Sequence, residues 1–191
     1  MNRRSTGIIS TIVAAVLLAI GGMTMAGGLF IHSQVTDELT AQKIFFAPAG
    51  SDGLPAGIQN YGGTQVVNGA QAKVFANDYI RVHVLGSIAG AAKTNPGLDG
   101  ATTYSEVSSA SRANPDNQEL SGLVQTVFRG EMLRASLLGS YAWWTFGTIL
   151  FWIAIASMSL GLIGVLAGVL VATPFGARVR ARTHHGNAAH A

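Results

Sequence analysis

Five histidines and nine carboxylates are the side chains best suited to metal or acid–base chemistry in this chain, and cysteine is absent. Without cysteine, disulfides, thiolate nucleophiles and sulfur-ligated metals are excluded. His184, His185 and His190 lie in a C-terminal tract that reads as an unstructured end, because a His-rich tail without a scaffold holds metal weakly. That leaves His32 and His83. A non-haem iron site needs two histidines and a carboxylate brought onto one face, and nothing in the spacing makes these two converge. Haem within a membrane takes axial histidines from facing helices, whereas only His32 borders an apolar run, as an interfacial residue. No Gly-x-Ser-x-Gly elbow supplies an activated serine. The expectation is a protein with no catalytic residue, no metal and no cofactor, with bound lipid as the only small molecule; it is not an enzyme.

The elements that would position any such residue are dominated by two uncharged runs. From Ala135 to Ala177 there is no charged side chain, and within this stretch Phe146–Val171 is apolar almost throughout. That exceeds the roughly 20 residues a helix needs to cross a bilayer. Ile8 to Ile31 is a second such run. A cleaved signal peptide would also begin basic and end near Thr24-Met25-Ala26, but the apolar run continues through Leu29, Phe30 and Ile31, which favours an uncleaved span. Tyr141, Trp143 and Trp144 precede the second run, where amphipathic rings sit at headgroup level.

Apolar residues make up 49% of the chain and charged ones only 11%, against about a quarter charged in a soluble domain. The net charge of +3 is unevenly placed, since all nine acidic residues fall between Asp37 and Glu131. Arg3 and Arg4 at one end and Arg178, Arg180 and Arg182 at the other form basic cytoplasmic anchors. A basic balance built from flanking arginines is a topology signal, so nucleic acid is not expected as a partner. Both termini are placed in the cytoplasm, with the protein in the cell membrane.

The layout expected is a mainly α membrane protein. Residues 1–7 form a cytoplasmic start, 8–31 the first transmembrane helix and 32–134 a small, mostly helical extracytoplasmic domain. Residues 135–172 form an interfacial start and the second transmembrane helix, and 173–191 a basic tail. Val35–Thr40 extends the first helix, Lys43–Phe46 is a short extended segment, and Ala47–Gly63 is a loop. Asn68 caps a helix through about Leu85, Gly86–Thr102 is a mobile Gly/Ala-rich loop, and Thr103 with Glu106 spells a capping box. No breaker separates Asn117 from Ala172, which predicts one helix on the order of 80 Å long, continuous from outer domain to second span. Gly139 and Gly147 are its expected kink points.

The spans carry no ionisable side chain, which argues against a transporter or channel. They do carry small residues at helical spacing. Ala15, Ala19, Gly22 and Ala26 make one seam, and Gly147, Ala154, Ser157, Gly161, Gly164 and Gly168 another. Such seams let helices approach closely in lipid, either against each other or against a partner. On the outer segment, Leu123, Val127 and Phe128 form an apolar face for the same purpose.

The order of these features, with Val35-Thr36-Asp37-Glu38 leaving the first span, an Ala-rich helix over Gln71–Leu85, Lys93, Thr103-Tyr104-Ser105-Glu106, and Met132-Leu133-Arg134-Ala135-Ser136-Leu137 entering the second span, resembles small actinobacterial two-span membrane proteins. Some of these carry the label of aromatic-ring-opening dioxygenase; that label implies a metal site for which the residues above offer no ligand set. The size and layout are also similar to the accessory subunit of the actinobacterial cytochrome bcc–aa3 respiratory supercomplex. The resulting expectation is a non-catalytic integral-membrane subunit that contacts lipid and docks on a larger membrane complex, with no small-molecule substrate. The alternative is a stand-alone extracytoplasmic sensor with a pocket between the Asn68–Leu85 helix and the long helix.

Overall fold

The structure, a computed structural model, describes residues 3–172. It is mainly helical, and no strand occurs among the described residues beyond a single antiparallel bridge between Phe45 and Gln65. Five α-helices follow in order: α1 (Arg3–Gln42), α2 (Gly69–Val74), α3 (Arg81–Ala92), α4 (Tyr104–Ala113) and α5 (Gln118–Ala172). A π-helical turn, Phe75–Ile80, joins α2 to α3. Among the described residues two compact units are present: one combines residues 3–30 with 147–172, the other is 31–146.

In the first unit, α1 over residues 7–30 and α5 over residues 147–172 carry no charged side chain. Both are long and apolar enough to cross a membrane. The predicted N-terminal and C-terminal segments 1–7 and 173–191 fall largely outside the described residues, as do Arg178, Arg180, Arg182 and the side chains of Arg3 and Arg4.

The second unit is built by local signals that the chain spells out. Asn68 accepts a hydrogen bond from the Gln71 N–H at 2.9 Å and starts α2. The Thr103 hydroxyl accepts from the Glu106 N–H while the Glu106 carboxylate accepts from the Thr103 N–H, closing a reciprocal cap on α4. Asn117 Oδ1 accepts from the Leu120 N–H at 3.2 Å at the head of α5. α1 ends at Lys43, whose φ of 52° breaks the helix.

Two clusters hold this unit together. Leu39, Phe46, Ile58, Phe75 and Leu137 belong to one; Val84, Ile88, Leu98, Val107, Leu120, Leu123 and Val127 to the other. The second corrects the reading of Gly86–Thr102 as a mobile loop. The helix instead continues to Ala92, because Val84, Ile88 and Ala91 share a buried face. Two helical glycines cost about 1 kcal/mol each, and burying Ile88 alone returns about 1.5–3 kcal/mol. The following turn is fixed by Asn95, a buried polar residue that donates to Ala91 O and to Glu119 Oε2, both at 3.0 Å, and accepts from Asn117 Nδ2 at 2.7 Å. The Ala47–Gly63 segment is ordered as well. Leu54 and Ile58 are buried, and the Gln59 side chain bridges Gly50 N and Leu54 O at 2.7 Å each.

The cap on α4 gives a pH prediction. Hydrogen bonds from the Thr102 N–H, the Thr103 hydroxyl and the Thr103 N–H hold the Glu106 carboxyl below its ordinary value of 4.5. A depressed folded-state pKa means that the stabilisation is complete at neutral pH and fades as pH falls below the ordinary carboxylate range through the folded value. Glu106→Gln is therefore expected to flatten that part of the acid limb in a plot of Tm against pH, leaving the neutral-to-alkaline slope unchanged. An identical acid limb in the variant would show that the cap carries no linkage.

Candidate functional site

In the first unit, α1 and α5 meet along a seam that repeats every seven residues on both helices. Among the described residues of this unit, Gly7, Ala14, Gly21 and Gly28 are the buried positions on α1, and Gly147, Ala154, Gly161 and Gly168 those on α5. The pairing is antiparallel and keeps its register. Gly28 lies against the Gly147 carbonyl and the Phe151 N–H, Gly21 against Ala154 and Met158, Gly161 against Ala14 and Leu18, and Gly168 against Gly7, Ser10 and Thr11. A Cβ placed on Gly28 would come within 2.8 Å of Gly147 O, and one on Gly21 within 3.2 Å of Ala154 O. The backbones touch, which only small residues permit. A strict period of seven underwinds the contact from 3.6 to 3.5 residues per turn and implies a left-handed supercoil.

Of the seam residues inferred from sequence, Gly147, Ala154, Gly161 and Gly168 are buried and Ser157 and Gly164 half-buried. Ala15, Ala19, Gly22 and Ala26 are exposed, and nothing lies within 4 Å of a Cβ built on Gly22. The contacting face of α1 is therefore rotated one residue from the one expected. Spacings of three and four fit both faces, because small residues occur side by side at Ala14-Ala15 and Gly21-Gly22. The signal that separates them is the exact matching of sevens along the two helices.

The outer faces also sort differently from expectation. Leu123 and Val127 are 8% and 0% exposed and belong to the core, so they are not part of an outward face; Phe128 is 46% exposed, with the Tyr104 ring centroid 5.8 Å from its own. The aromatic trio divides too. Trp144 is held inside the second unit, its ring stacked on His32 with centroids 4.0 Å apart and its side chain against Gly69. Tyr141 lies under Lys73, whose Nζ is 4.6 Å from the ring centroid. Trp143 points outward.

Both histidines of the described residues are engaged with backbone. His32 Nε2 lies 3.0 Å from Trp144 O and His83 Nδ1 2.7 Å from Tyr79 O. A carbonyl can only accept, so His32 Nε2 and His83 Nδ1 are the donors of these two bonds. His83 also borders a shallow depression with Asp52, Pro55, Val82, Gly86 and Ser87. There the Ser87 hydroxyl donates to His83 O at 2.9 Å and His83 Nδ1 serves Tyr79. These contacts lack the nucleophile-to-ring hydrogen bond that activates a serine. Among the described residues, no three His, Asp or Glu side chains gather as a metal site would require.

One polar knot was not foreseen. At the π-helical turn, the Ala76 carbonyl accepts from the Arg81 N–H and also from Arg134 Nε at 3.1 Å. Arg134 further donates to Asn77 Oδ1 at 3.2 Å and to Glu131 Oε2 at 2.7 Å. The widened turn exposes a carbonyl that a regular helix would have enclosed, and Arg134 ties α5 to it. Between α3 and α5, Val84 is pressed against Gly130, and Leu120, Leu123 and Val127 pack into the core. No family model, curated protein or solved structure matches this chain.

Proposed function

We propose that the protein is a two-span, non-catalytic membrane subunit whose lipid-facing helices dock on a larger membrane complex. The observation that carries this reading is the combination of high hydropathy with low burial. Only 11% of the residues in the most apolar stretch of each helix are buried, while Ile12, Met23, Phe30, Trp152, Ile163 and Leu166 all stand more than half exposed. A core helix of a soluble protein would be mostly covered, and water would penalise so large an apolar surface at about 25 cal/mol per Å². Hydrocarbon removes that penalty. The packed seam from Gly7 to Gly28 supports a retained first span over a cleaved leader.

Docking is supported by the second small face of α1. Ala15, Ala19, Gly22 and Ala26 lie outside the intrachain seam and leave room for another helix to approach closely. The distribution of arginines favours cytoplasmic termini and an extracytoplasmic acidic segment. A bcc–aa3 respiratory supercomplex is the host to test first, on the resemblance in size and layout.

The test is extraction of the tagged full chain in mild detergent, followed by mass spectrometry of what co-purifies. A stoichiometric membrane protein partner that is lost on Gly22→Leu is expected. A preparation with no stoichiometric partner other than this chain would overturn the docking reading.

A further inference from the structure

We propose that the outward ridge of α5 in the second unit is a self-association surface, occupied by the same ridge of a second copy of this chain. The ridge consists of Phe128, Met132, Trp143 and Phe146, which are 46%, 55%, 60% and 47% exposed and, at steps of four, eleven and three residues, share one helix face. Gly139 and Ala142 interrupt it. Together with Trp143 and Phe146 they line an apolar notch of about 370 Å³, and a Cβ on Gly139 would meet nothing within 4 Å.

Lipid does not cover the upper part of this ridge, Phe128 and Met132. Leu39 of α1 shares a buried cluster with Leu137 of α5, and His32 meets Trp144, so the two helices run side by side at this level. Asp37 and Glu38, next to Leu39, are exposed there. Hydrocarbon reaching that height would bury both carboxylates without a compensating partner charge, which a bilayer strongly disfavours. A bilayer edge is level around so small a protein, so it lies below Gly139 on the α5 side as well. Trp143 then sits at the headgroups, and Met132 and Phe128 stand above them.

The ridge fits itself. Copies inserted in one membrane share an orientation, and a two-fold axis along the membrane normal brings each residue near its own equivalent. The knob, Trp143, and the floor of the notch, Gly139, are one helical turn apart, about 6 Å along the axis. Each Trp143 can thus seat over the partner copy's Gly139. Large side chains expose roughly 150–250 Å² in full, so four of them at about half exposure, with Tyr104 and the small residues, offer roughly 500 Å² per copy. The pair buries on the order of 1,000 Å², the size at which specific interfaces begin.

The proposal rests on the bilayer reading above, and a carbonate wash separates the two: release from the membrane defeats that reading, whereas a retained monomer defeats only the dimer. The experiment is native mass spectrometry of the full chain released from lipid nanodiscs, with Gly139→Leu as the variant. Leucine at this open position fills the notch without touching the rest of the fold. Dimers are expected for the unaltered chain, falling at least tenfold in the variant while Tm does not fall. Because the chain has no cysteine, Ala142→Cys gives a second readout, expected to form a copper-catalysed disulfide dimer where Gly122→Cys does not. A monomeric unaltered chain, dimers indifferent to Gly139→Leu, or cross-linking of Ala142→Cys to a different protein in place of itself would each overturn it.

Discussion

Gly28→Leu is expected to separate the two apolar helices, whereas Gly22→Leu, six residues earlier on the same helix, leaves them together. The difference lies in what the new side chain meets. At Gly28 the first added carbon already comes within 2.8 Å of the Gly147 carbonyl and 3.2 Å of the Phe151 nitrogen. These are backbone atoms and cannot rotate away, so the helices themselves must move apart. Overpacking typically costs about 1–3 kcal/mol, and loss of neighbouring contacts along the seam takes Gly28→Leu to the top of that range or above. For a chain of this size, about 3 kcal/mol corresponds to a fall in Tm of roughly 6–12 °C in a detergent melt. Gly22 faces open space, and its substitution should stay within about 0.5 kcal/mol. Equal melts for the two variants would show that the sevenfold seam does not hold the helices.

Leu123→Ala is expected to cost about 2–5 kcal/mol, the range for truncating a buried leucine. Phe128→Ala, five residues further along the same helix, should cost less than about 1 kcal/mol in folding. Leu123 is 8% exposed in a cluster with Val84, Ile88, Leu120 and Val127, so its loss opens a cavity that surrounding helices cannot collapse into. Phe128 has one ring neighbour and water on its other side, and its removal weakens self-association instead of the fold. Denaturant melts of the two variants, read beside their dimer content, separate the roles. A Leu123→Ala chain as stable as the parent would mean that this face of α5 is not core.

The residues that could do chemistry were countable from the sequence, but their engagement was not. His32 and His83 each bond a main-chain carbonyl, one across to α5 and one within its own helical turn. The π-helical turn and its Arg134 knot left no mark in the sequence, because a widened turn depends on what the freed carbonyl meets, and Arg134 arrives from a helix far along the chain.

What the chain determined by itself is local. Two uncharged runs, the caps at Asn68 and at Thr103 with Glu106, and the unbroken Gln118–Ala172 helix follow from interactions that close within three or four residues. Tertiary contact decided everything that required choosing a side. It selected Gly7, Ala14, Gly21 and Gly28 over the adjacent small face, put Leu123 and Val127 inside while leaving Phe128 out, and carried the helix through Gly86–Ala92. A helix offers several faces of nearly equal composition, and only the shape of the element packed against it makes one of them the lowest in free energy.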